Sequence, residues 1–438
     1  MNTLIRELEE KRKARGARLA RTMAVSLALA VAMAGCLDGS DSSSSDSAAA
    51  APDTSTGTDT STGTGTSTDT GDKDTGPAIN RALIIGLDGV TYNAIQAGIA
   101  DKTLVNFAKL NVSLAYSGGA PGGQTQQANL ATPGWATVLS GNWANLHQVT
   151  SDASGLSIQG GSLFEILKAR TGAVNGAAVA SSNIAGLMKT QHDSAALDTL
   201  YDCSGDAAAD DCVTRQALGL IDGAYTTVVT QYHGATDVAL DYGTGSSSYK
   251  NAVKKLDDAL GALMAETARK PNDKWLVVLT SAYGLGATGS ADGLPLLPES
   301  TTFIALNQAL NNAAGVNAPP PATLSALYAY PGIADIAPTV LAYFDATPAP
   351  AAYAMYGSEL IGDLGVSQLN VALSTSNFNQ TAANATLTWT APAAGDITVL
   401  RDGVVIATLP AGTARYARKY RKCRTSITRS PDRLIPPG

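Results

Sequence analysis

Short apolar runs alternate with segments of helical period from residue 81 onward, which is the pattern of an α/β domain. The apolar runs show little alternation, so they predict strands that are buried on both faces of a mostly parallel sheet. The predicted strands are Ala82–Leu87, Ala177–Ala180, Tyr225–Tyr232 and Lys274–Thr280. Helices with one apolar face are predicted at Ser162–Arg170 and Tyr249–Glu266. The sequence therefore predicts a sheet covered by helices.

A further helix is predicted from its end signals, in the stretch TPGWATVLSG. Thr132 is expected to be its N-cap, Pro133 its first residue and Gly141 its C-cap. Residues 114–130 are rich in Gly and Gln and predict a long loop leading to this helix. Residues 183–225 show no clear period and predict an irregular cap or insertion.

The composition changes after the α/β body. Residues 385–389 and 396–408 predict strands joined by a hairpin turn at Arg401-Asp-Gly, and residues 363–414 resemble part of a fibronectin type III β-sandwich. The tail 415–438 has no apolar period and is strongly basic. It is either a nucleic-acid-binding tail or, the interpretation favoured here, an abnormal end of a truncated sandwich.

The first 77 residues predict an export signal and a tether. Met23–Ala34 is an apolar run too short to cross a bilayer comfortably, and it ends in Met33-Ala34-Gly35-Cys36. This ending resembles a bacterial lipobox, which implies that residues 1–35 are a lipoprotein signal peptide and that Cys36 is lipidated. An ordinary secretory signal is the alternative. Leu37 favours the outer membrane by analogy with Gram-negative lipoproteins, either at its periplasmic face or at the cell surface.

Residues 36–77 consist almost entirely of Ser, Thr, Gly, Asp and Ala, a composition that predicts a disordered tether. The net charge of the chain is −7 although both ends are basic, so the body between them is strongly acidic. Such a body repels polyanions, which excludes nucleic acid as an expected partner. Cys203 and Cys212 lie in a polar stretch, where an exported protein is expected to join them in a local disulfide.

Five landmarks in order give the body, residues 78–362, its resemblance to a known family. They are the strand end GLDG at Asp88, the stretch that ends at Gly141, the region around Asp237, the strand end SAYG at Ala282, and the helix DIAPTVL. Together they resemble the alkaline phosphatase superfamily, and most of all its type I phosphodiesterase/nucleotide pyrophosphatase branch. The resemblance implies a sheet between helices, two catalytic metal ions and a Ser or Thr nucleophile.

The chain departs from that family at most of the positions that carry its chemistry. Ala131 stands where the resemblance places the nucleophile, and Thr132 is the nearest hydroxyl. Asp88 and Asp237 match metal ligands, and Asp241 replaces a His ligand. The remaining ligand positions are absent, and Ala282 and Tyr283 replace two of them.

Two classes of function remain open on this basis. The favoured one is a catalytically impaired member of the superfamily that binds or scaffolds a small molecule or a protein. The other is a metal-dependent phosphodiesterase or phosphatase with a rebuilt site at Asp88, Thr132, Asp237 and Asp241. These carboxylates, with Asp292, could form an oxygen-rich site for Mg²⁺ or Ca²⁺, and the resemblance adds Zn²⁺. The absence of any cofactor is the alternative.

Overall fold

A computed structural model describes residues 78–349, 352–363, 365–375, 382–392, 395–401 and 404–421. The predicted signal peptide, Cys36, the tether and most of the basic tail lie outside these residues. None of the helices in the described ranges is long and apolar enough to cross a membrane.

The body is built on a seven-stranded, mostly parallel sheet in the order β2-β7-β6-β1-β5-β3-β4. Its strands are β1 (Ile79–Leu87), β2 (Asn111–Tyr116), β3 (Asn175–Val179), β4 (Thr199–Asp202), β5 (Thr227–Tyr232), β6 (Asp273–Thr280) and β7 (Thr301–Leu306). The pairs from β6 through β1, β5 and β3 to β4 are parallel, whereas β7 is antiparallel to both β6 and β2. The predicted α/β fold class is confirmed.

Eleven α-helices occur in the described residues. They are α1 (Tyr92–Ala100), α2 (Ala131–Ser140), α3 (Ala144–His147), α4 (Leu163–Thr171), α5 (Ser182–Asp193), α6 (Ala209–Asp222), α7 (Gly234–Tyr242), α8 (Ser247–Thr267), α9 (Leu297–Ser300), α10 (Leu324–Leu327) and α11 (Ile336–Tyr343). Three short 3-10 helices lie at Phe107–Lys109, Ala313–Gly315 and Ile333–Asp335.

The central strands are apolar because helices cover both of their faces. All seven residues from Arg81 to Leu87 in β1 are buried, as are the last six residues of β6. Helix α8 buries Val253, Leu256 and Leu260 on one side, as its period predicts. The apolar pattern of these elements therefore predicts correctly which of their residues are buried.

The prediction of an irregular region over residues 183–225 is wrong. This stretch forms α5, β4 and α6, and β4 extends the sheet beside β3. Strand β4 has no apolar signature because it is a short edge strand that is only partly buried. A disulfide between Cys203 and Cys212 links the end of β4 to α6.

Two smaller predictions also need correction. Residues 114–116 belong to the edge strand β2 instead of a loop, which begins only after Tyr116. Helix α2 begins at Ala131, so Thr132 is its second residue and not its N-cap. Gly141 does end this helix with a left-handed φ of 68°, a conformation that favours glycine.

Five further strands lie in the C-terminal region: β8 (Ser367–Thr375), β9 (Ala382–Thr390), β10 (Ile397–Arg401), β11 (Val404–Leu409) and β12 (Arg415–Arg421). Strands β10 and β11 form the predicted antiparallel hairpin, whose turn residues 402–403 lie outside the described ranges. Strand β12 occupies the start of the tail that was predicted to be irregular. Its mostly basic and aromatic residues carry no apolar alternation, so the pattern gave no strand signal.

Candidate functional site

Asp88 lies at the carboxyl end of the central strand β1, where open α/β sheets place their ligands. Its side chain is completely buried and accepts three hydrogen bonds from the protein. The Trp135 indole N–H donates to Oδ2 at 2.9 Å, the Gln231 amide donates to Oδ2 at 3.0 Å, and the Ala282 backbone N–H donates to Oδ1 at 3.1 Å. Both carboxylate oxygens therefore already have protein partners.

The pKa of Asp88 reflects this enclosed environment. Burial raises the pKa of its carboxyl group above the usual range, and it outweighs the three hydrogen bonds and the nearby His233, which act in the opposite direction. A metal ion would hold such a carboxylate ionised, but the polar partners within reach of Asp88 are hydrogen-bond donors. The environment of Asp88 does not fit a metal ligand.

Trp135 fills the space above the end of β1. Its side chain is fully buried, and a Cβ atom added at Gly86 would lie only 1.9 Å from Trp135 Cζ2. Glycine at position 86 therefore allows the indole to lie against the strand and to reach Asp88. The sequence placed Trp135 on the correct helix but did not reveal this contact.

The start of α2 is where the family resemblance places a nucleophile. Ala131 offers no nucleophilic atom there, and Thr132 is buried at 2% exposure. The Thr132 backbone N–H donates to Asp152 Oδ1 at 2.8 Å, and the Thr132 hydroxyl accepts from the Asn183 amide at 3.0 Å. Asp152 thus satisfies a free N–H of the first helical turn, a role that the sequence had assigned to Thr132 itself.

The other predicted metal ligands do not gather around Asp88. The Asp237 side chain is 70% exposed, with its Oδ1 atom 3.7 Å from His233 Nε2. Asp241 and Asp292 are exposed as well. Within the described residues, no group of three or more His, Cys, Asp or Glu side chains could hold a metal ion. The predicted oxygen-rich site is therefore not assembled by the residues proposed for it.

The motif SAYG contributes backbone and aromatic groups where the family has metal ligands. Ala282 supplies the N–H that contacts Asp88, and the buried Tyr283 hydroxyl lies 3.2 Å from Thr236 Oγ1. Burial raises the pKa of Tyr283, and the neighbouring negative charge of Asp88 raises it further. The phenol therefore stays neutral and acts as a packed, hydrogen-bonded side chain.

A cavity of about 530 Å³ lies beside this filled centre, where β3, β4 and β5 end. Polar side chains line it, including Asn183, His233, Asp237 and Lys255. On one side Asp210 accepts hydrogen bonds from the backbone N–H groups of His233 and Gly234, at 2.9 and 3.0 Å. Asp210 thereby covers the N-terminus of α7 with a carboxylate of the chain itself.

Sequence reasoning missed the residues that complete this region. Trp135 and Gln231 hold Asp88, while Asp152 and Asp210 each hold a helix N-terminus. One feature of the sequence could have indicated Gln231 as a site residue. It lies near the end of a predicted strand, and the neighbouring strand β1 is followed by the polar residue Asp88. The other contacts join residues too distant in sequence for a local pattern to reveal them.

The described α/β domain is similar, at low identity, to solved structures of alkaline phosphatases and related proteins. Solved structures similar to it include the alkaline phosphatase from the Antarctic bacterium TAB5, at 11% identity, 62% coverage of this chain, 99% of that chain and a TM-score of 0.40. The C-terminal periplasmic domain of EcEptC from Escherichia coli in complex with Zn is 10% identical, with coverages of 68% and 91% and a TM-score of 0.42.

Murine ectonucleotide pyrophosphatase/phosphodiesterase 5 is 14% identical, with coverages of 47% and 58% and a TM-score of 0.37. A variant of the TAB5 enzyme is described with bound Mg. No protein-family model and no curated relative matches the sequence.

Proposed function

We propose that this chain is an exported lipoprotein whose alkaline phosphatase-like domain binds a ligand or partner and does not hydrolyse phosphoric esters. The observation that carries this proposal is the enclosure of Asp88. Its carboxylate accepts from Trp135, Gln231 and Ala282, so it is satisfied without a metal ion.

The remaining residues support the same conclusion. Phosphoryl transfer by two metal ions needs ligands on both ions and an activated nucleophile between them. Here Ala131 has no hydroxyl, Ala282 and Tyr283 have no metal-binding carboxylate or imidazole, and Asp237 points into solvent. The buried Thr132 hydroxyl accepts from the Asn183 amide, and the neighbouring Asp152 carboxylate already accepts from the Thr132 backbone N–H and from the same amide.

The export, the lipid on Cys36 and the tether of residues 36–77 belong to this proposal. A flexible chain of about forty residues has a root-mean-square reach of roughly 35 Å, which would separate the body from the membrane surface. The outer membrane is then the partner through the lipid anchor. The polar cavity at the ends of β3, β4 and β5 is the place where we expect a small polar ligand to bind.

Metal content and hydrolysis test the proposal on the full chain purified in detergent. After dialysis against Zn²⁺, Mg²⁺ or Ca²⁺, we expect elemental mass spectrometry to find no stoichiometric metal. We also expect no hydrolysis of an aryl phosphodiester above that of a Thr132→Ala control. Stoichiometric metal that is lost in both Asp88→Ala and Asp237→Ala would establish the rebuilt phosphodiesterase site instead.

A further inference from the structure

A second cavity, of about 770 Å³, lies in the cleft between α1 and the first half of α8. It shares no lining residue with the Asp88 region or with the polar cavity. Apolar groups dominate its wall, among them Ala94, Ala97, Gly98, Val253, Leu285 and Leu297. A cavity of this size and lining is typical of a small-molecule site.

The cleft is elongated along α1. Its lining residues on this side run from Thr91 to Asp101, which at 1.5 Å per residue corresponds to roughly 15 Å. Ala94 and Ala97 are small, so they leave the depth of the cleft open, while the Leu104 side chain lies against Gly98. An extended apolar chain fits this shape better than a compact ring system does.

The charges at the rim select one kind of head group. Lys250 and Lys254 lie in the first half of α8 and line the cleft. Lys254 pairs with Asp258, whereas Lys250 forms no ion pair within 4 Å in the described residues and interacts with the Asp101 carboxylate only through its charge. Asp101, the rim carboxylate, already accepts from the backbone N–H and the hydroxyl of Thr103. Lys250 is therefore the cation available to a ligand.

We propose that this cleft binds a fatty acid, with its acyl chain along α1 and its carboxylate at the Lys250 ammonium. The chain buries apolar area against the small residues of α1 and against Val253, which supplies most of the affinity. The head group adds a modest electrostatic contribution because Lys250 is exposed. This site is independent of the polar cavity in which the proposed function places its ligand.

Titration calorimetry of the full chain with monomeric dodecanoate tests the proposal. We expect one binding site, and we expect hexanoate to bind more weakly by roughly three orders of magnitude, because it lacks six methylenes and each buried methylene contributes about a factor of four. Ala97→Trp fills the cleft and should weaken dodecanoate binding at least tenfold. Ala100→Trp, an exposed position on the same helix outside the cleft, is the matched control and should leave binding unchanged.

A second comparison tests the contact between the carboxylate head group and the Lys250 ammonium. Lys250→Ala should weaken dodecanoate roughly three- to fivefold, as expected for one exposed ion pair, and should leave dodecanol unaffected. Lys255 also lies on α8, but outside the cleft, and its ammonium pairs with Asp211 of α6. Lys255→Ala should therefore change the affinity for neither dodecanoate nor dodecanol. The proposal is overturned if dodecanoate does not bind, if the two tryptophan variants behave alike, or if dodecanol binds as tightly as dodecanoate.

Discussion

At the scale of single residues, three hydrogen bonds stabilise the buried carboxylate of Asp88. An isolated ionised group in a protein interior is very costly, and it is tolerated only with partners. Asp88 has three donors, and Trp135, the largest of their side chains, can approach only because residue 86 is glycine. The identity of residue 86 therefore determines how the candidate site is filled.

Gly86→Ala should lower the free energy of unfolding by about 1–3 kcal/mol, because the added methyl group overlaps the Trp135 ring. A double-mutant cycle measured by urea denaturation tests this contact. In a Trp135→Leu background the same substitution should cost much less. Equal costs in the two backgrounds would show that the overlap is not the cause.

A second residue-scale prediction concerns His147, which is buried in contact with Thr137 and Gln127. Its Nδ1 atom accepts from the Val149 backbone N–H, so Nε2 carries the proton of the neutral ring. Burial lowers the pKa of His147 from 6.5 to about 4. Between these values the unfolded chain binds the extra proton and the folded chain does not, so stability is full above pH 6.5 and falls on acidification.

The total loss from this residue corresponds to about 3 kcal/mol by pH 4. His147→Gln should therefore be destabilising at pH 7 and much less so at pH 4.5, when both proteins are compared by urea unfolding. The variant has no imidazole to titrate, and its stability difference from the natural chain at pH 7 is the reference for the difference at pH 4.5. A stability difference that is the same at both pH values would contradict the neutral, buried assignment.

At the scale of elements, carboxylates bind the N-termini of two helices near the carboxyl ends of the strands. The free N–H groups of α2 and α7 receive carboxylates from distant parts of the chain, Asp152 for α2 and Asp210 for α7. Burial raises the pKa of Asp210, while the two N–H donors and the nearby His233 and Lys255 lower it. Asp152 connects a loop to the start of α2, and Asp210 connects the start of α6 to the start of α7.

Asp152→Ala should destabilise the protein by about 1 kcal/mol, the usual effect of losing a helix N-terminal acceptor. Asp152→Asn keeps an acceptor oxygen at the same place and should recover most of that loss. Thermal unfolding of both variants provides the measurement. If the alanine and asparagine variants are equally unstable, the acceptor is not what stabilises α2.

At the scale of the whole molecule, the disulfide links the outer part of the sheet to α6. Cys203 follows β4 and Cys212 lies in the first turn of α6, two residues after Asp210. The crosslink therefore limits the motion of the segment that carries the Asp210 carboxylate to the N-terminus of α7. It also adds stability at a short, half-exposed edge strand that buries little apolar surface.

Reduction of this disulfide should lower the free energy of unfolding by about 2–3 kcal/mol, because it restores conformational freedom to the unfolded chain. The melting temperature should fall in the presence of reductant for the natural chain. The Cys203→Ser/Cys212→Ser double variant should begin at the lower temperature and should not respond to reductant. A response of the double variant would point to another cause.

The sequence predicted the central fold well because its strands are buried on both faces and its long helices have one apolar side. β1, β5, β6 and α8 all have this simple relation between pattern and position. β4 escaped prediction because it is a short, partly exposed edge strand. β2 has buried central residues, but the polar Ser113 interrupts its apolar run and a Gly- and Gln-rich loop follows it directly. The filling of the site escaped because Trp135, Gln231 and Ala282 reach Asp88 from three separate elements, and no local pattern encodes that convergence.

The enclosure of Asp88 has a consequence for anyone who would redesign this protein into a metalloenzyme. Removing Trp135 alone leaves a void beside Gly86 and deprives the carboxylate of a donor. Placing an aspartate at residue 282 alone sets a second negative charge beside a buried one, with no cation yet bound. Every first step loses stability before any catalysis appears, so a laboratory search that accepts one substitution at a time would reject them all. The new ligands would have to be installed together.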